Sequence, residues 1–229
     1  MVSKLTSHDL AGAHERSLRG TDISRIIGLS DGVFAFALTL LVLQLTVPQA
    51  LCSTVPQDSA DCARNVLHSL AGDYTTFVLY VFTFGMIGLW WTAHHRVFRF
   101  IGKYDNPLIW LNLTFLLTIA VMPFVLGVFS AYPQTSTAVM LFAGTSAASG
   151  LLMFGIWDHA ARAKLLSEEA DEAIVKYIRL RYIVMPSVFL ASLPVALVSA
   201  TGAEVIWVGG FAALAVLRRR AKAGMDTLD

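Results

Sequence analysis

Charge is what this chain has least of. Asp, Glu, Lys and Arg make up 14% of its 229 residues, 56% are apolar, and mean hydropathy is +0.64. A soluble domain carries roughly 25% charged residues, so much of this surface never meets water. The net charge of +1 leaves no surplus of either sign to hold nucleic acid or an acidic partner. Only Cys52 and Cys62 are available for a disulfide; a cysteine scaffold is excluded and a single bridge is possible. No Thr-Val-Gly-Tyr-Gly filter, no arginine-every-third-residue sensor, no P-loop, nucleophile elbow or His-Glu-x-x-His motif occurs. The strand alternation of an outer-membrane barrel is missing, as are internal repeats. Residues 1–22 are polar and lack the apolar core of a signal peptide.

What the chain does have is apolar runs. A membrane-spanning helix needs about 20 mostly apolar residues, and the runs 24–46, 74–93, 107–128, 137–157, 181–200 and 204–217 qualify, the last by extension into its linker. The expected fold is an all-α integral membrane protein with six transmembrane helices. It divides into a cytoplasmic N-terminal segment (1–22), a transmembrane domain (23–217) and a basic cytoplasmic tail (218–229). Lys and Arg are retained in cytoplasmic loops. Of the 17 basic residues all but Arg64 fall in segments that six spans place on one side, so both termini are expected in the cytoplasm. Cys52 and Cys62 share the outer loop after the first span, where an oxidising exterior permits a bridge; two free thiols are the alternative. The charged stretch 159–176 reads as a solvated helix or linker.

The first span carries Arg25, Ser30 and Asp31 at its cytoplasmic end. Ionisable residues in a membrane helix are costly and need partners, although an Asp at a helix start is also favourable by itself. At about 100° per residue, Gly32, Phe36, Thr39, Leu43 and Thr46 fall on one stripe, from which Ser30, Asp31 and Gln44 point away. The stripe fits helix or lipid packing as well as a pore wall. Histidines 94 and 95 point about 100° apart and suit one metal poorly, since zinc ligation prefers i, i+4 spacing; no metal or other cofactor is expected. With Asn112 they are placed to serve Ser30 and Asp31 as hydrogen-bond partners. Asp158-His159 reads as a solvated pair at a helix end.

Arg25-x-x-x-Leu29-Ser30-Asp31 resembles the Arg-x-x-x-Phe-Ser-Asp signature of the endolysosomal potassium channel family (the transmembrane-protein-175 family), in its prokaryotic branch. Asp31-Gly-Val-Phe-Ala-Phe36-Ala-Leu-Thr39-Leu-Leu-Val-Leu43, Trp91-x-x-His94-His95, Trp110-x-Asn112 and Pro123-Phe124 continue the match. The resemblance covers residues 23–128; beyond that only the span count agrees. It implies six-helix subunits in a homotetramer in the cell membrane, with the first helices lining a potassium-permeable pore that has no filter loop. Carried over by position, Phe36 and Leu43 are the apolar constriction and Thr39 the selectivity residue, with Gly32 and Thr46 on the same wall. Arg25, Ser30, Asp31, Trp91, His94, His95 and Asn112 form the signature network. The partners implied are the bilayer, monovalent cations led by K⁺, and copies of the chain. Two positions depart from the family pattern: Leu29 replaces Phe, and Phe36 replaces an Ile or Leu, placing a larger ring at the narrowest point. A proton or non-selective cation leak is the alternative within transport. Outside it stands a membrane enzyme or scaffold built on His94, His95 and Asp158.

Overall fold

The computed structural model describes residues 7–45, 59–72 and 74–225, with side chains over 23–45, 59–72 and 74–212. The described residues are helical almost throughout: α1 (Ser7–Leu41), α2 (Ala60–Gly72), α3 (Tyr74–Arg99), α4 (Asn106–Ala131), α5 (Ser136–Arg162), α6 (Glu172–Ala196) and α7 (Ala200–Met225). A 3₁₀ turn, Val42–Gln44, ends α1. Five helical segments are long and apolar enough to cross a membrane: Ile23–Gln44, Tyr74–Arg99, Asn106–Ala131, Ser136–Arg162 and Glu172–Ala196. The sixth expected span, 204–217, falls inside α7.

Most helices outrun the apolar stretches that announce them, because a helix propagates through backbone hydrogen bonds while hydropathy stops at the first charges. The polar segment from Ser7 and the first span are one continuous helix. The fifth run, 181–200, shifts: α6 starts at Glu172, and the chain breaks between α6 and α7 at 197–199. Local signals set two starts. Asp105 accepts from the Leu108 N–H at 2.9 Å at the head of α4, and Asp171 from the Ile174 N–H at 2.7 Å at the head of α6, satisfying amides that a helix N-terminus leaves open. Helix α2 lies in the loop between the first two spans. Its amphipathic sequence exposes Leu67 and Leu70 and buries Cys62.

The core sits among α4, α5, α6 and α7. Phe129, Phe142, Phe189 and Trp207 pack there, with Phe142 and Trp207 ring centres 5.2 Å apart. The Trp207 indole N–H donates to Ser192 Oγ at 2.7 Å, which anchors α7. At Gly150 a Cβ would stand 2.7 Å from Pro186 Cγ, so this glycine admits the proline-bearing helix α6 against α5. The connections 100–105 and 163–171 clasp each other: the Gly102 N–H donates to Leu165 O at 2.9 Å and the Ser167 N–H to Phe100 O at 2.8 Å. Lys103 and Lys164, in two separate basic loops, therefore lie at the same end of the bundle. Helix α1 packs on α3 and α4 and presents its remaining face outward.

Candidate functional site

Helix α1 has two unlike faces. Ser30, Phe34, Ala37 and Leu41 recur at helical spacing and are buried. On the opposite side Leu29, Gly32, Phe36, Thr39, Val42 and Leu43 are exposed in the subunit, Phe36 by 65% and Leu43 by 71%. A Cβ on Gly32 would meet nothing within 4 Å, so packing inside the chain does not require a glycine there. The Thr39 hydroxyl donates to Phe36 O at 2.8 Å. That bond uses its one proton and leaves oxygen lone pairs on the exposed face. Thr46 lies outside the described residues.

Behind this face a directional chain of hydrogen bonds joins three helices. His94 Nε2–H donates to Asn112 Oδ1 at 2.9 Å, the Asn112 amide donates to Ser30 Oγ at 3.1 Å, and the Ser30 hydroxyl donates to Ile26 O at 2.9 Å. All three side chains are buried. The His94 ring stacks on Phe98 at 4.2 Å and lies parallel to Phe115 at 5.8 Å, with the edge of Phe34 beside it. In such apolar surroundings each polar group needs its partner, since an orphaned one costs about 1–3 kcal/mol.

Asp31 is not part of this chain. Its carboxylate accepts from the Trp91 indole N–H at 2.8 Å, across the contact between α1 and α3. The sequence pointed Asp31 toward His94, His95 or Asn112. The structure gives Asn112 to Ser30, as was expected of that residue, and His94 to Asn112, and neither to Asp31, because residue 30 is on the buried face and residue 31, about 100° round the helix, is at its margin. His95 is exposed and stacks on Trp91 at 5.8 Å. Arg25 is exposed and has no ion pair among the described residues. The indole–carboxylate bond was not expected from the sequence; its signal is a tryptophan whose N–H needs an acceptor at a membrane boundary.

Asp158 and His159 do not form the solvated pair expected of them. Asp158 holds Arg162 at 2.7 Å and Arg179 at 2.6 Å. His159 Nε2 meets both oxygens of Asp105, at 2.8 and 3.0 Å. Burial tends to raise the Asp105 carboxyl's pKa, but the Leu108 N–H and His159 outweigh it and hold the group below the usual carboxylate range. Of the residues in the enzyme reading, His94 is committed to Asn112 and Asp158 to two arginines. Among the described residues no three His, Cys, Asp or Glu side chains are grouped to hold a metal. Cys62 is disulfide-bonded; Cys52, the other cysteine, lies outside the described residues.

Sequence reasoning also missed the outward stripe of α4, where Trp110, Leu117 and Phe124 are each more than 60% exposed. Their seven-residue spacing was legible as one face, but nothing in the spacing says which face of an all-apolar helix lacks a partner.

Residues 25–123 match the family model described as endosomal/lysosomal potassium channel TMEM175. That segment contains Arg25, the whole hydrogen-bonded network and the exposed face of α1. A potassium channel of Chamaesiphon minutus is 30% identical over 184 residues, covering 78% of this chain and 86% of that protein. A potassium channel of Streptomyces collinus is 29% identical, covering 69% of this chain and 74% of its own length. The mouse endosomal/lysosomal proton channel TMEM175 is 30% identical over 130 residues, 24% of its length. Among solved structures, a homologue from Chamaesiphon minutus of the lysosomal potassium-selective channel TMEM175 superposes with a TM-score of 0.70 at 26% identity over 83% of this chain and 95% of that one. The chain is therefore a multi-pass membrane protein of the TMEM175 family, a cation channel and not an enzyme.

Proposed function

We propose that this chain forms a potassium-permeable homotetrameric channel whose pore is lined by α1, with α7 as a sixth span and both termini in the cytoplasm of a cell. The single observation that supports it best is the outward face of α1. A helix with one face packed by its own subunit and the other carrying Gly32, Phe36, Thr39 and Leu43 has the form of a pore helix waiting for its symmetry mates. Thr46 continues the same stripe in the sequence. Phe36 and Leu43, about 10 Å apart along the axis, form two apolar rings. A neck too narrow for a hydrated ion stops it by dewetting, with no charge required. Thr39 lies between them, and four outward hydroxyl oxygens replace part of the hydration shell and favour K⁺ over Na⁺. The network of Ser30, Asn112 and His94, with the bond between Asp31 and Trp91, holds the helix at the rotation that presents this face. Relatives named potassium channels support the ion. Recording purified protein in bilayers with opposed K⁺ and Na⁺ gradients tests the reading: the reversal potential should move toward that of K⁺. Absence of cation flux from folded tetramers would end it.

A second reading rests on relatives named proton channels. The same pore then conducts protons or cations without discrimination. A reversal potential that follows a pH gradient and ignores the K⁺/Na⁺ gradient selects it.

A further inference from the structure

Between α3, α6 and α7 lies a cavity of about 270 Å³, to which none of the described side chains of α1 contributes. Its walls are apolar, formed chiefly by Met86, Trp90, Met185, Phe189 and Phe211. Along α3 it runs from Arg96 down to Met86, about 15 Å at 1.5 Å per residue. That is half of a hydrocarbon core roughly 30 Å thick, the depth of one leaflet. Arg96 stands near the end of α3 and Arg181 near the start of α6, so both guanidinium-bearing side chains belong to the same end of the cavity, the end of the basic loops.

The charge there is one-sided. Among the described residues no acidic side chain lines the cavity. Arg179, two residues from Arg181, is paired with Asp158, which it shares with Arg162. Among the described residues Arg181 has only the Tyr177 hydroxyl, at 3.4 Å, and Arg96 has no hydrogen bond or ion pair. Both are half-buried. Of the other polar groups of the lining, the Thr92 hydroxyl donates to Leu89 O at 2.9 Å and the Tyr182 hydroxyl to Ala93 O at 3.1 Å, while the buried Trp90 indole N–H has no hydrogen-bond partner among the described residues. An apolar slot one leaflet deep, headed by two arginines without carboxylates, is complementary to a molecule with an acyl chain and an anionic head. Basic pockets between transmembrane helices bind such head groups.

We propose that this cavity is a binding site for an anionic glycerophospholipid of the leaflet at the basic end, with one acyl chain in the slot and the phosphate held by Arg96 and Arg181. The site is independent of the pore reading and stands or falls separately from it. The test is thermal unfolding of the full-length protein in detergent, titrated with phosphatidylglycerol, phosphatidylcholine or inorganic phosphate. Phosphatidylglycerol should raise the unfolding temperature more than phosphatidylcholine, and inorganic phosphate should not reproduce the rise. R96Q and R181Q should each move the phosphatidylglycerol midpoint up by about fivefold. M185W, which fills the slot and keeps both arginines, should blunt the response. An unchanged midpoint in folded R96Q/R181Q, an unchanged response in M185W, or an equal effect of inorganic phosphate would overturn the site. Should the double variant not fold, native mass spectrometry of the wild type decides: retention of phosphatidylglycerol over phosphatidylcholine supports the site, and no preference overturns it.

Discussion

The Asn112 side chain donates to Ser30 Oγ at 3.1 Å across the buried contact between α4 and α1, and its other end receives the His94 N–H at 2.9 Å. One amide thus satisfies two helices at once. Asn112→Leu, close in size, removes both bonds and leaves the His94 N–H without an acceptor. The expected loss is about 1–3 kcal/mol for each group orphaned. Ser30→Ala should cost less, because it strands one amide hydrogen and leaves the Asn112–His94 bond intact. Thermal unfolding in detergent checks the order. Asn112→Leu melting at the wild-type temperature would show that the network does not hold α1.

Asp31 and Trp91 meet at 2.8 Å on the margin of the same contact. Asp31→Ala should lower tetramer yield or stability more than it alters K⁺/Na⁺ discrimination, since Asp31 lies about 100° round the helix from Gly32. Trp91→Phe keeps most of the aromatic surface and removes the donor. If the bond is the main interaction of both side chains, the two substitutions together should cost less than the sum of the singles. A folded, tetrameric Asp31→Ala channel with collapsed potassium preference would move Asp31 into the pore.

How much of this was legible depended on which physical property had to be read. Apolar runs and the distribution of basic residues announced membrane helices, and the resemblance announced the family, because composition and short motifs live in the sequence itself. The stripe of Gly32, Phe36, Thr39 and Leu43 followed from helical periodicity, and the structure leaves that face open. Partner choice was legible only in part: Asn112 was expected to serve Ser30, but Trp91 was not expected to serve Asp31. Ser30 and Asp31 are adjacent in sequence, and only the rotation of α1 against α3 and α4 sends one to Asn112 and the other to Trp91. Nor were the clasp of the two basic loops and the cavity between α3 and α6 foreseeable, since both depend on which non-neighbouring helices touch.

Asp105 gives a pH dependence with a definite sign. Its pKa is held below the ordinary value of 3.8 by the Leu108 N–H and His159, against the opposing effect of burial. A carboxyl with a depressed folded-state pKa contributes stability that is complete above the unfolded value and is lost as pH falls through the folded one. The contact between α4 and α5 should therefore weaken below about pH 4. Asp105→Asn keeps a capping side chain but does not titrate, so its unfolding temperature should fall less steeply with acid than that of the wild type. Parallel curves for the two proteins from pH 6 to pH 3 would assign acid sensitivity to other groups.

Thr39 presents an oxygen whose proton is already given to Phe36 O at 2.8 Å. An acceptor so fixed suits a partly dehydrated cation. Thr39→Val keeps the shape and removes the oxygen, so the K⁺/Na⁺ permeability ratio should fall while conduction persists. Reversal potentials under bi-ionic conditions measure it. An unchanged ratio would shift discrimination to steric sieving at Phe36.

Phe36 is the bulkiest side chain of the outward stripe and is 65% exposed in the subunit. Its neighbours on that face are smaller or more flexible: Gly32 one turn below, Thr39 one turn above, and Leu43 two turns above. Around a fourfold axis the four rings would meet before any other side chains of the stripe and would set the minimum width. Four flat aromatic rings there would form a dry collar, which hydrated ions would pass only when the helices rotate or spread. Phe36→Ala should raise open probability or conductance and weaken ion discrimination, whereas Phe36→Trp should reduce flux. Both variants alter an outward side chain and leave the Ser30–Asn112–His94 network in place, so tetramers should still form. Single-channel recording separates the outcomes. If both substitutions leave conductance and open probability unchanged in folded tetramers, Phe36 does not line the conduction path, and the outward face of α1 meets lipid or a neighbouring helix instead.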